Sequence, residues 1–75
     1  MEIFRERLKD VRIESGYKQE EMAQVLNVST SGYGYYEQGR NEPSLETIQK
    51  VAATFDISAD YLFGIIDNPT PILWS

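Results

Sequence analysis

Gln19-Glu-Glu-Met-Ala23, Leu26-Asn-Val-Ser29, Tyr36-Glu-Gln-Gly39 and Pro43-Ser-Leu45, met in that order along one run of chain, decide how this sequence folds. Met22, Ala23 and Leu26 share one face of a short helix that starts near Gln19. Asn27-Val28 form a tight turn. Ser29 is a competent N-cap for the next helix, because its hydroxyl oxygen can accept from a free N–H of the first turn. Over Thr30 to Glu37 the residues Tyr33, Tyr36 and Glu37 fall at i, i+3 and i+4 and are expected to point inward, leaving Thr30, Ser31, Gly34 and Tyr35 on the opposite side. Gly39 ends this helix, and Asn41-Glu42-Pro43 reads as a structured loop.

Working outward, the spacing of Phe4, Leu8, Val11 and Ser15 predicts a first helix over Ile3 to Ser15, stopped by Gly16. Ser44 caps a fourth helix with Leu45, Ile48, Ala52 and Phe55 as its apolar stripe. Asp56-Ile57 lead to Ser58, the cap of a short fifth helix that carries Tyr61 and Leu62 and stops at Gly64. Asn68-Pro-Thr-Pro71 cannot continue a helix. No stretch alternates with period two for long enough to argue for a sheet. The expectation is an all-α protein, a compact five-helix bundle over residues 1–66 with a proline-containing C-terminal tail over residues 67–75.

Composition narrows the function classes. Seventy-five residues make one small domain, and domains of this size hide proportionately little surface, so a homodimer is a reasonable expectation. There is no cysteine and no histidine, which leaves no disulfide, no thiolate or imidazole metal site, and an expectation of no metal and no cofactor. A catalyst would have to rely on carboxylates in a pocket that a bundle of this length hardly offers, and no glycine-rich phosphate loop stands in the required strand context, so no catalytic residues are assigned. No apolar run approaches the ~20 residues of a spanning helix, and Met1-Glu-Ile-Phe-Arg-Glu-Arg has no signal-peptide core. A soluble, cytoplasmic protein without membrane contact is the expectation.

The ordered set Arg7-Leu-Lys, Gly16, Gln19, Met22-Ala23, Leu26, Val28-Ser29, Tyr36-Glu37, Gly39, Pro43-Ser-Leu45, Ala52, Asp60-Tyr-Leu62 and Gly64 resembles the Cro and lambda-repressor type of helix-turn-helix, also called the xenobiotic-response-element family of bacterial and phage regulators. The resemblance spans most of the chain without a gap. It implies major-groove docking by the third helix, and a two-fold dimer on a palindromic operator in double-stranded DNA. It implies transcription regulation, with repression as the expected sense.

Carried over by position, the resemblance implies that Gln19 lies near a phosphate and either touches the first base or braces the reading helix; the plainer reading is a solvated residue in a first helical turn. Thr30, Ser31, Gly32 and Tyr35 match positions from which relatives read base edges. Hydroxyls serve several bases, and a methyl or a ring can meet a thymine methyl, but none of these residues gives sharp bidentate discrimination. Thr30 and Ser31 are equally ordinary helix-start residues. Gly32 and Gly34 each cost about 1 kcal/mol relative to alanine in a helix interior, and fit either close backbone approach to the groove or drift at exposed positions. Tyr33 stands where relatives have Ile or Val, so its hydroxyl needs a partner. Arg12 and Glu37 match a structural salt bridge. Arg40 is the phosphate contact expected first, with Gln38 and Asn41 as neutral helpers. Lys18 is a poor N-cap that a phosphate could compensate. Tyr61, Phe63, Ile65 and Ile66, with Trp74 of the tail, are the candidate dimer seam, and Ile72-Leu-Trp74 fits folding back on its own domain, crossing to a partner, or leading into a further segment.

Against this stands the charge. Seven cations face twelve acids, a net −5, whereas DNA binding draws much of its affinity from cations that displace condensed counterions. The field at the docking face matters more than the sum, so weak non-specific binding is expected. The alternative is a protein-interaction module on the same fold, antitoxin-like or anti-repressor-binding, and a regulatory protein partner is compatible with either.

Overall fold

The computed structural model describes residues 2–70. Five helices follow one another as α1 (Glu2–Glu14), α2 (Gln19–Leu26), α3 (Thr30–Gln38), α4 (Leu45–Phe55) and α5 (Ala59–Phe63), with no strand among the described residues. This is the expected all-α five-helix architecture, with α1 starting and ending one residue earlier than expected and α3 ending one residue later.

Serines start three of the helices. Ser29 Oγ accepts from the Gly32 N–H at 2.9 Å, Ser44 Oγ from the Thr47 N–H at 3.2 Å, and Ser58 Oγ from the Asp60 N–H at 3.1 Å. Helix α2 differs, because Lys18 at its N-cap has no oxygen to offer. Instead the Glu21 carboxylate reaches back and accepts the Lys18 N–H at 2.8 Å, half of a capping box. Four helices end in a left-handed residue, Asn27, Gly39, Asp56 and Gly64, which turns the chain and lets its next amides reach the last carbonyls.

The core joins Phe4 and Leu8 of α1, Met22, Ala23 and Leu26 of α2, Tyr33 of α3, Ile48 and Val51 of α4, and Leu62 of α5. Helix α2 packs on α3, α1 lies against both α3 and α5, and α4 closes over α2 and α5. Each large side chain so buried contributes about 1.5–3 kcal/mol relative to exposure, and sequence-distant helices are held mainly by these contacts.

Two expectations are corrected. Leu45 does not join the α4 stripe and is 74% exposed, while Val51 is fully buried. The inward arc of α4 is centred on Ile48 and Val51, and Leu45 sits at its edge in the first turn. Gly34 is buried rather than outward. The core does not cover it; its neighbours are the amides of Gln19 and Gln38, which would lie 3.7 and 3.9 Å from a Cβ there. Past α5 the chain lies against the bundle, since the Ser58 N–H donates to the Pro69 carbonyl at 2.8 Å. Trp74 and the rest of Ile72-Leu-Trp74 lie outside the described residues.

Candidate nucleic-acid interface

Helix α3 is fixed from beneath by one carboxylate. Arg12 Nε donates to Glu37 Oε2 at 2.6 Å and Arg12 Nη2 to Oε1 at 3.2 Å, a two-point fork in which the arginine and glutamate side chains keep 14% and 6% of their exposure. The Tyr33 hydroxyl donates to the same Oε2 from one turn earlier. Gln19 Nε2 donates to Oε1 at 3.2 Å from the start of α2. A carboxylate only accepts, so this bond fixes which end of the Gln19 amide faces inward.

The electrostatics follow. Burial pushes the Glu37 carboxyl up, but the hydrogen bonds from Arg12, Tyr33 and Gln19 together outweigh it and hold the group below its ordinary range. The bond to Glu37 raises Arg12 further, against its own desolvation. Burial, then the bond to Glu37, lifts the Tyr33 phenol well above its ordinary value. The network is therefore ionised at Arg12 and Glu37 and neutral at Tyr33 across the physiological range.

A second arginine holds the end of the same helix. Arg5 Nη1 donates to the Gln38 carbonyl at 3.0 Å, supplying positive charge where α3 has no basic residue in its last turn. Gly39, at φ 75°, permits this approach: a Cβ would lie 2.6 Å from Arg5 Nη1. Arg7 performs a similar task elsewhere, donating to the carbonyls of Tyr61 and Ile66 at 2.5 and 2.6 Å and to Asp67 at 3.0 Å, with its guanidinium 4.2 Å from the Tyr61 ring centroid. Neither role was reached from sequence. The available signal for Arg5 was its seven-residue separation from Arg12, two helical turns that put both on one face of α1.

Thr30, Ser31 and Tyr35 are exposed along the outer edge of α3, while Gly32 is half-buried beneath the Ser29 cap. Gln38, Arg40 and Asn41 are exposed just past it. The Tyr35 carbonyl accepts from the Arg40 N–H at 2.9 Å and the Asn41 N–H at 3.4 Å, and the Arg40 guanidinium lies over the Tyr35 ring, 5.0 Å from its centroid. Lys18 and Gln19 are exposed at the start of α2. Tyr36 is half-buried, edge-on to Tyr33 at 6.4 Å. At the other end, Tyr61, Phe63 and Ile66 are half-buried and Ile65 is 70% exposed, while the exposed Ile3 packs against Gly64, where a Cβ would lie 2.8 Å from its Cγ2.

Residues 8–62 match the helix-turn-helix family model. The chain is 43% identical over 60 residues to the SPbeta prophage-derived HTH-type transcriptional regulator YonR of Bacillus subtilis, covering 80% of this chain and 56% of that protein. It is 36% identical to the HTH-type transcriptional regulator ImmR of the same organism, covering 77% and 46%. It thus spans about half the length of these two relatives. Among solved structures, the N-terminal DNA binding domain of SinR from Bacillus subtilis superposes with a TM-score of 0.74 at 30% identity, covering 84% of this chain and 93% of that one. The restriction-modification controller protein C.AhdI from Aeromonas hydrophila does so at 0.74 and 34%, covering 83% and 94%. On the family match, these relatives and its five-helix architecture, the chain belongs to the helix-turn-helix family, on the fold of the lambda-repressor type.

Proposed function

We propose that this chain is the DNA-docking domain of a transcriptional regulator, acting as a repressor, that seats α3 in the major groove of a palindromic operator as a homodimer. The observation that carries the reading is the edge of α3: Thr30, Ser31 and Tyr35 stand exposed along it, with the Arg40 guanidinium over the Tyr35 ring, on a helix braced by Arg12 and Arg5. Thr30, Ser31 and the backbone at Gly32 face base edges, with Gln19 at the margin of the same surface. Arg40 meets a phosphate, with Gln38 and Asn41 beside it and Lys18 at the start of α2. Family membership and the regulator relatives support this reading.

Dimerisation supplies what the cation-poor surface lacks. Two copies double the few phosphate contacts and read two half-sites. Tyr61, Phe63, Ile65 and Ile66 are the proposed seam, supported by the exposure of Ile65 and of Ile3, which packs against the neighbouring Gly64. Such a regulator works in the cytoplasm, where its operator is. No helix among the described residues is long and apolar enough to cross a membrane.

The test is selection of bound duplexes from a random pool, followed by a salt titration on the enriched sequence. Arg40→Ala is expected to weaken binding to every duplex and to reduce the log–log salt slope by about one. Unchanged affinity in Arg40→Ala would contradict the docking geometry. The second reading, an interaction module, draws on the net charge of −5 and the absence of any cation within α3; failure to enrich any duplex would favour it.

A further inference from the structure

The geometry points to Tyr35 as a positioning residue for Arg40, acting through that arginine on the DNA backbone and not by reading a base. This rests on the DNA-docking reading proposed above. Outward register alone makes Tyr35 a candidate base contact, but its structural surroundings give the ring a different task. The Arg40 guanidinium lies over it at 5.0 Å from the centroid, inside the range where the negative face of an aromatic ring attracts a cation. The same residue accepts both the Arg40 and the Asn41 N–H at its backbone carbonyl. Backbone and ring of Tyr35 therefore hold Arg40 at two points.

Charge around α3 makes this shelf consequential. Among the described residues no carboxylate lies within ion-pair distance of Arg40, and the two other guanidiniums at this end, those of Arg5 and Arg12, are engaged with the Gln38 carbonyl and the Glu37 carboxylate. Arg40 is thus left available to an external anion, and an exposed arginine would otherwise sample many rotamers, a freedom that must be given up on binding. The ring restricts those rotamers in advance. One face of the ring is occupied by the guanidinium.

A double-mutant cycle on the enriched duplex, with the full chain, tests this. Tyr35→Ala is expected to lower affinity about two- to five-fold, to the same degree on the enriched and on base-substituted duplexes. Tyr35→Phe, which keeps the ring and loses the hydroxyl, is expected to bind like the wild type. In an Arg40→Ala background Tyr35→Ala is expected to have no further effect. In the protein without DNA, the Arg40 side-chain protons should resonate upfield of those of a free arginine through the ring current, and lose that shift in Tyr35→Ala. Additive losses, an effect confined to one base position, or unshifted Arg40 protons would overturn the assignment while wild-type binding stood. If the wild type bound no duplex at all, the docking reading would fall and this assignment with it.

Discussion

At the scale of single residues, Glu37 carries the most. Four hydrogen bonds from three side chains converge on its two oxygens, and their net effect is a depressed pKa. A carboxylate depressed in the fold stabilises the protein fully above its ordinary value of about 4.5, and that contribution is lost as pH falls through the lower folded value. Tyr33 acts at the opposite end: raised in the fold, it stabilises fully below its ordinary value of about 10 and loses that contribution as pH rises toward the folded value. Glu37→Gln is therefore expected to cost about 3 kcal/mol at neutral pH by stranding Arg12, and to lose stability less steeply than the wild type between neutral pH and acid. Urea unfolding from pH 7 to pH 3 checks both, and parallel curves would contradict the assigned coupling. Much at this scale was legible in advance: an inward tyrosine at a usually aliphatic position demands a partner. That Gln19 can brace the reading helix was legible by resemblance, but not that Glu37 is what it grips, because a residue at the start of α2 and one near the end of α3 meet only once the turn has folded.

At the scale of elements, the capping pattern explains both the readable and the unreadable. Serines before helical runs and left-handed residues after them act within a few positions, so the five helices could be placed from sequence. Burial across helices is a different matter. Leu45 satisfied the apolar period yet lies at the edge of the inward arc, and Gly34 is covered by side chains 15 residues before it and four after it, counting from Gln19 and Gln38. Arg5 reaches Gln38 across 33 positions, which no local pattern reports. Helix α2 remains the weakest start, with Lys18 offering no oxygen and only Glu21 closing the turn. Lys18→Ser is expected to stabilise the fold by about 1 kcal/mol, a rise of roughly 4–8 °C in Tm for a domain of this size. If Lys18 meets a phosphate in the complex, the same variant binds DNA more weakly, so stability and affinity move in opposite directions. Thermal unfolding and a binding titration on one sample show whether they do.

At the scale of the whole molecule, the net charge of −5 and the few cations are what the proposed pairing would offset. Ile65 is 70% exposed, so Ile65→Asp is expected to leave helix content unchanged while weakening self-association and moving the DNA-binding midpoint to higher protein concentration. Sedimentation equilibrium together with circular dichroism checks this, and a wild type that stays monomeric at all concentrations would retire the proposed seam. Helix α3 is pinned at two places: Arg5 and Arg12 grip its last turn, and Tyr33, fully buried, seats it in the core, while Thr30 and Ser31 stand exposed at the tip behind the Ser29 cap. In the docking proposed above, the pinned part would set register along the duplex, and only the tip would be left to follow local variation in groove width, so that discrimination by shape would fall to Thr30 and Ser31.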